Sequence, residues 1–193
     1  MFEAFETYMR TQKDSSPHTI RGYLSDLGQF AAWFQQTNGE RLSPKVVTRT
    51  DLRQYRQFML TVKNLSANTI NRRLAAITVY LRWAVDQGMI AQNPADRIKG
   101  VKQQQTAPKW LSKGEESALV RQAEKERQAA GTESAQRQSA RNWALIVFLL
   151  HTGLRASEVC SLRLEDLEIN TRSGSVQVVG KGAKQRTVPL NKE

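Results

Sequence analysis

Four apolar stripes at helical spacing occupy the first hundred positions, and polar breaks separate them; no other feature limits the fold so tightly. Phe2, Phe5 and Tyr8/Met9 form the first. A polar break follows at residues 14–19, where Ser16 has the character of an N-cap and Pro17 of a first helical residue. Ile20, Tyr23/Leu24, Leu27, Phe30/Ala31 and Phe34 then form one face, which "QTNGE" ends. Thr48 and Asp51 in "TRTD" fit a capping box ahead of Leu52, Tyr55 and Phe58/Met59. The fourth stripe, Ile70, Leu74, Ile77, Leu81 and Ala84/Val85, begins after Ser66 and stops in "DQGMIAQNPA" at Gly88 and Pro94. These residues predict a compact four-helix module with its aromatic residues in the core.

The second half changes character. "RIKGVKQQQTAPKW" is polar and basic and reads as a linker. Ser112 and Glu115 predict another capping box and a helix through "ESALVRQAEKER". "QAAGTESAQRQS" reads as a loop or frayed turn, "RNWALIVFLLHTG" as a buried helix ending near Gly153 with His151 as a polar cap, and the residues after Ser157 as a short helix. Cys160 falls at a core-like position. Val176, Val178 and Val179 favour a strand, "GKGAK" a turn, and "QRTVPL" a returning strand that Pro189 marks as at an edge or nearly finished.

Net charge is +11, and it is not a tail: residues 1–100 hold 14 Lys+Arg against 8 Asp+Glu, and residues 101–193 hold 15 against 10. A polyanion is the partner such a chain suits best. His18, Thr19 and Arg21 stand at one helix start, and Asn68, Thr69, Arg72 and Arg73 at another. Short polar groups and arginines at helix starts suit phosphate contacts, which position DNA without reading bases. A single cysteine cannot form an internal disulfide and points to a reducing compartment. The N-terminus lacks a signal-peptide pattern, and "WALIVFLL" is too short to span a bilayer.

In the first half "SPHTIRGYLSDLGQFAAWF" and "SANTINRRLAAITVYLRWAVDQGMIAQNPA", and in the second "HTGLRASEVCSLRLEDL" and "GKGAKQRTVPL", resemble the tyrosine recombinases of the phage-integrase and Xer-like type. The resemblance implies a mainly α fold: a helical, SAM-like core-binding domain (1–98), a linker (99–110), and the leading part of an α+β catalytic domain with a β-hairpin (111–193). It implies double-stranded DNA as partner, a recombinase tetramer on two DNA sites for the full-length complex, no metal or cofactor, and a cytoplasmic, nucleoid-associated location in a bacterium. Arg155 in "TGLR" falls on the family's first catalytic arginine, Lys181 on its hairpin lysine, and Glu158 on an acidic position supporting the arginine. Lys184 and Arg186 join the DNA-contacting set.

The residue types suit phosphoryl transfer in their own right. A guanidinium can hold two non-bridging oxygens as negative charge builds, and a lysine on a turn can deliver a proton to a leaving 5′-hydroxyl. The family's tyrosine nucleophile lies beyond the positions matched here; Tyr8, Tyr23, Tyr55 and Tyr80 all fall in the helical first half. The expectation is therefore a DNA-binding portion of a recombinase, truncated within the catalytic domain and inactive alone. The alternative is a non-catalytic regulator or decoy of recombination.

Overall fold

The computed structural model describes residues 2–103, 107–170, 173–180 and 184–190. The chain divides into two units, Met1–Thr106 and Ala107–Glu193.

The first unit holds α1 (Glu3–Thr11), α2 (Pro17–Asn38), α3 (Arg49–Thr61) and α4 (Ala67–Asp86). The cap signals act where the sequence places them. Ser16 accepts from the Thr19 amide at 3.2 Å, and Thr48 and Asp51 form the reciprocal box. α2 ends at Gly39, whose φ of 75° is the left-handed turn that glycine adopts at no steric cost. The four stripes meet in one core around Leu27, Phe30, Phe34, Tyr55, Met59, Ile70 and Ile77, each at most 1% exposed. Tyr55 packs against Phe30 and Trp33 with ring centroids 4.9 and 5.0 Å apart.

The two helical hairpins of this unit repeat one design at an offset of fifty positions, already present in the apolar stripes, where Phe2, Phe5, Met9, Ile20 and Leu27 correspond to Leu52, Tyr55, Met59, Ile70 and Ile77. Asp14 and Asn64 hold left-handed φ values of 45° and 48°. The amides of Ser15 and Leu65 donate to the carbonyls of Met9 and Met59, both at 3.0 Å. Ser16 and Ser66 cap the next helix and bond the hydroxyls of Thr19 and Thr69. Lys13 and Lys63 each sit 5.8 Å over a ring, Tyr8 and Phe58.

The second unit holds α5 (Lys113–Ala129), α6 (Glu133–Thr152), α7 (Ala156–Ser161), a 3₁₀ turn (Leu164–Asp166), and strands β1 (Leu167–Ile169), β2 (Gly174–Val179) and β3 (Gln185–Leu190). Among the described residues the strands form an antiparallel sheet in the order β1-β2-β3, with β3 and its Pro189 at the edge. Leu154, Val176 and Val178 are buried at its centre, flanked by Phe148, Val159, Leu162 and Leu190.

Three sequence expectations fail here. "GTESAQRQS" is no loop: Thr132 caps α6 through the Ala135 amide, and the helix runs from Glu133. The polar residues there face solvent, which the apolar pattern could not signal. "NWALIVFLL" is not fully buried, since no residue of α6 is, and Leu145 is 37% exposed. α6 packs on α5 and β3 and is only partly covered by the described residues of its unit. Cys160 is exposed, because α7 turns Glu158 and Val159 toward the core and carries the next position to the opposite, solvent side.

The units should answer differently to truncation. Phe30→Ala should destabilise the first by about 3–5 kcal/mol, whereas Leu145→Ala should cost under about 1 kcal/mol. Chemical denaturation of both variants, followed by tryptophan fluorescence, checks the contrast.

Candidate nucleic-acid interface and phosphate site

In the second unit the site is built where α6 gives way to α7. Gly153, at φ 63°, ends α6, and its amide closes on the Leu149 carbonyl at 3.0 Å. Leu154 then drops into the core at 5% exposure, which turns the next residue, Arg155, outward. Arg155 precedes α7 as its N-cap, and Glu158 reaches back to it: the Arg155 amide donates to Oε2 at 2.8 Å and its guanidinium to Oε1 at 2.9 Å. From β3, Arg186 donates to both oxygens of the same carboxylate, at 2.9 and 2.8 Å.

The carboxylate is therefore a hub. Glu158 is only 5% exposed and accepts four hydrogen bonds from two elements. The Arg186 bonds first, and the Arg155 amide second, hold its carboxyl down at about 2. Arg155 keeps 72% of its side chain exposed, so its charge remains available to an incoming anion. β2 and β3 bring Arg186 in by register, opposite Val178. Gly180 closes the hairpin, its amide donating to the Lys184 carbonyl at 2.7 Å. A Cβ on Gly180 would lie 3.4 Å from the Arg186 guanidinium and 3.8 Å from Glu158 Oε1, so the strand passes directly beside the hub. Lys181, the next residue, lies outside the described residues. Arg186, expected among the DNA contacts, sets its fork on Glu158 and keeps 42% of its side chain exposed; Lys184 is exposed.

The first unit has its own buried carboxylate, one that sequence reasoning missed. Asp26 on α2 is 2% exposed. Arg72 donates to one of its oxygens, and Arg73 Nε lies 3.7 Å from the other. Burial pushes the Asp26 carboxyl above the usual carboxylate range, outweighing both guanidiniums. The Tyr55 hydroxyl is buried and has no hydrogen-bond partner among the described residues, and burial raises it too. A signal was present: Asp26 follows Tyr23 by three positions and precedes Phe30 by four, squarely on the buried face of α2.

Of the residues expected to meet phosphates, His18, Arg21 and Asn68 are exposed at helix starts, and Arg72 is half-exposed. Arg73 is not an outward contact: its side chain is 19% exposed and faces Asp26. The hydroxyls of Thr19 and Thr69 are engaged with the capping serines.

Known proteins carry the same architecture. Residues 2–88 match the phage integrase N-terminal SAM-like domain, and residues 109–193 match the phage integrase family. The chain belongs to this family of tyrosine recombinases. It is 32% identical over 187 residues to the tyrosine recombinase XerC of Pelobacter propionicus, covering 97% of this chain and 58% of that protein. The XerC of Xanthomonas axonopodis pv. citri is 32% identical over 195 residues, with 97% and 60% covered. The chain thus spans under two thirds of the length of the curated relatives it matches. In fold it is similar to XerH site-specific recombinase bound to difH substrate in a pre-cleavage complex, with a TM-score of 0.65, 22% identity, and 96% and 51% of the two chains covered. It is also similar to a lambda integrase dimer bound to a COC′ core site, with a TM-score of 0.66, 13% identity, and 97% and 47% covered.

The hub makes an acid-range prediction. Glu158 holds its proton less tightly folded than unfolded, so its stabilising contribution is complete above the ordinary value of 4.5 and is lost as pH falls from there through about 2. The second unit should lose stability over that window, and Glu158→Gln should flatten this dependence. Thermal melts of both proteins between pH 2 and 6 measure it.

Proposed function

We propose that these 193 residues are the DNA-holding part of a site-specific recombinase whose parent activity cuts and rejoins duplex DNA through a 3′-phosphotyrosine link. The hub carries this reading: a buried carboxylate fixes the backbone and side chain of an outward arginine, beside a hairpin that leads into a lysine. Arg155 binds non-bridging oxygens and steadies the charge that grows on them in the transition state. Lys181 protonates the leaving 5′-hydroxyl. Glu158 touches no substrate; it positions Arg155. His18, Arg21, Asn68, Arg72 and Lys184 supply phosphate contacts that set register on the duplex. The full assembly is a tetramer on two DNA sites, working in the cytoplasm at the nucleoid.

The nucleophile sets the limit of what residues 1–193 do. All four tyrosines lie in the first unit; Tyr55 and Tyr80 are 1% and 5% exposed, and Tyr8 and Tyr23 pack against the core. Residues 107–193 contain none. The chain therefore holds DNA without cutting it, which also suits a regulator that occupies recombination sites.

Binding of residues 1–193 to duplex DNA should weaken steeply with salt, with a log–log slope of roughly −0.9 per phosphate contacted. Arg72→Ala should reduce that slope by about one contact. Arg73→Ala should leave the slope unchanged and lower the melting temperature instead. Retention of duplex that is independent of salt rules the reading out. On a nicked suicide duplex no adduct should survive denaturant; one mapped to Tyr8, Tyr23, Tyr55 or Tyr80 contradicts the assignment.

A further inference from the structure

The chain that leaves the first unit does not leave it freely. Past the end of α4, Ile98 and Val101 pack against the core, and Val101 is clasped by one side chain. Asn71 on α4 accepts from the Val101 amide at 2.7 Å and donates to the Val101 carbonyl at 2.9 Å, satisfying both backbone groups of a single residue. Arg56 on α3 adds a bond to the Gly100 carbonyl at 3.3 Å. Gly100 fits because it lacks a side chain: a Cβ there would lie 2.6 Å from Asn71 Oδ1. Its backbone is not in the left-handed region, so the close approach is the only demand the position makes for glycine. Asn71 immediately precedes Arg72.

We propose that Asn71 is a latch that fixes residues 100–101 onto α4, sets where the tether to the second unit begins, and so acts as a positioning residue for two-unit binding of DNA. The chain then departs from the first unit at Lys102 instead of Lys99. The aim of the tether matters more than its length. Releasing three residues lowers effective concentration by only about 1.5-fold when it falls with the −3/2 power of length. A latch that also sets the direction of departure changes binding by more than that. This last step rests on the DNA reading above; the latch itself does not.

The test uses residues 1–193 throughout. In Asn71→Ala, the Val101 amide should exchange with deuterium about tenfold faster or more, as expected for a lost pair of hydrogen bonds. Trypsin should cut after Lys99 and Lys102 correspondingly faster. The amides of Ile77 and Leu81 within α4 should keep their protection, which reports that the unit remains folded. Gly100→Ala should release the Val101 amide in the same way without altering α4. Added to Asn71→Ala, it should have no further effect, because the group it collides with is gone. Unchanged Val101 exchange in Asn71→Ala, or full additivity of the two substitutions, overturns the latch. Both single variants should weaken duplex binding by about fivefold; a loss below about twofold in both overturns the positioning role. If the unsubstituted protein fails to bind duplex, the DNA reading falls while the exchange and cleavage results still decide the latch.

Discussion

In each unit a buried carboxylate, Asp26 or Glu158, draws two arginines to it, and the geometry of both candidate surfaces follows from that. Burying a carboxylate is costly unless charge and hydrogen bonds compensate it. Glu158 receives four bonds, one from a backbone amide, and its charge is strongly favoured. Asp26 receives one hydrogen bond from Arg72 and a second guanidinium only at 3.7 Å, and burial prevails. The same chemical pairing thus yields a firm support for Arg155 in one unit and a costlier junction between α2 and α4 in the other.

Compensation also decides which cations remain for a ligand. Arg155 gives one side of its guanidinium to Glu158 and keeps most of its surface in solvent, while Arg186 commits both terminal nitrogens inward. Arg72 and Arg73, adjacent in sequence, divide in the same way: one half-exposed, one mostly enclosed. Net charge counts all four equally, whereas a phosphate does not.

Helix boundaries were legible where a cap residue stood before an apolar stripe, as at Ser16, Thr48 and Ser112, because the signal is local. The hairpin was legible from its valines and glycines, and the Arg155–Glu158 pair from its three-residue spacing. Arg186 meeting Glu158, and Asn71 meeting Val101, depend on chain brought back from 28 and 30 positions away, and no local pattern announces them. α6 misled for a different reason. An apolar run specifies what a helix prefers to bury against, not how completely its own unit covers it.

The repeated hairpins of the first unit are alike in frame and unlike in charge. At the fifty-position offset, Arg72 and Arg73 correspond to Gly22 and Tyr23, and Asp26 corresponds to Ala76. The acid stands in one half and its two bases in the other. Two copies of the first hairpin set together would enclose a pair of uncompensated acids, and two copies of the second would crowd four like charges around no acid at all. Only the unlike pairing is neutralised. The repeated frame is thereby built of unlike halves, and the acid of one is met by the bases of the other.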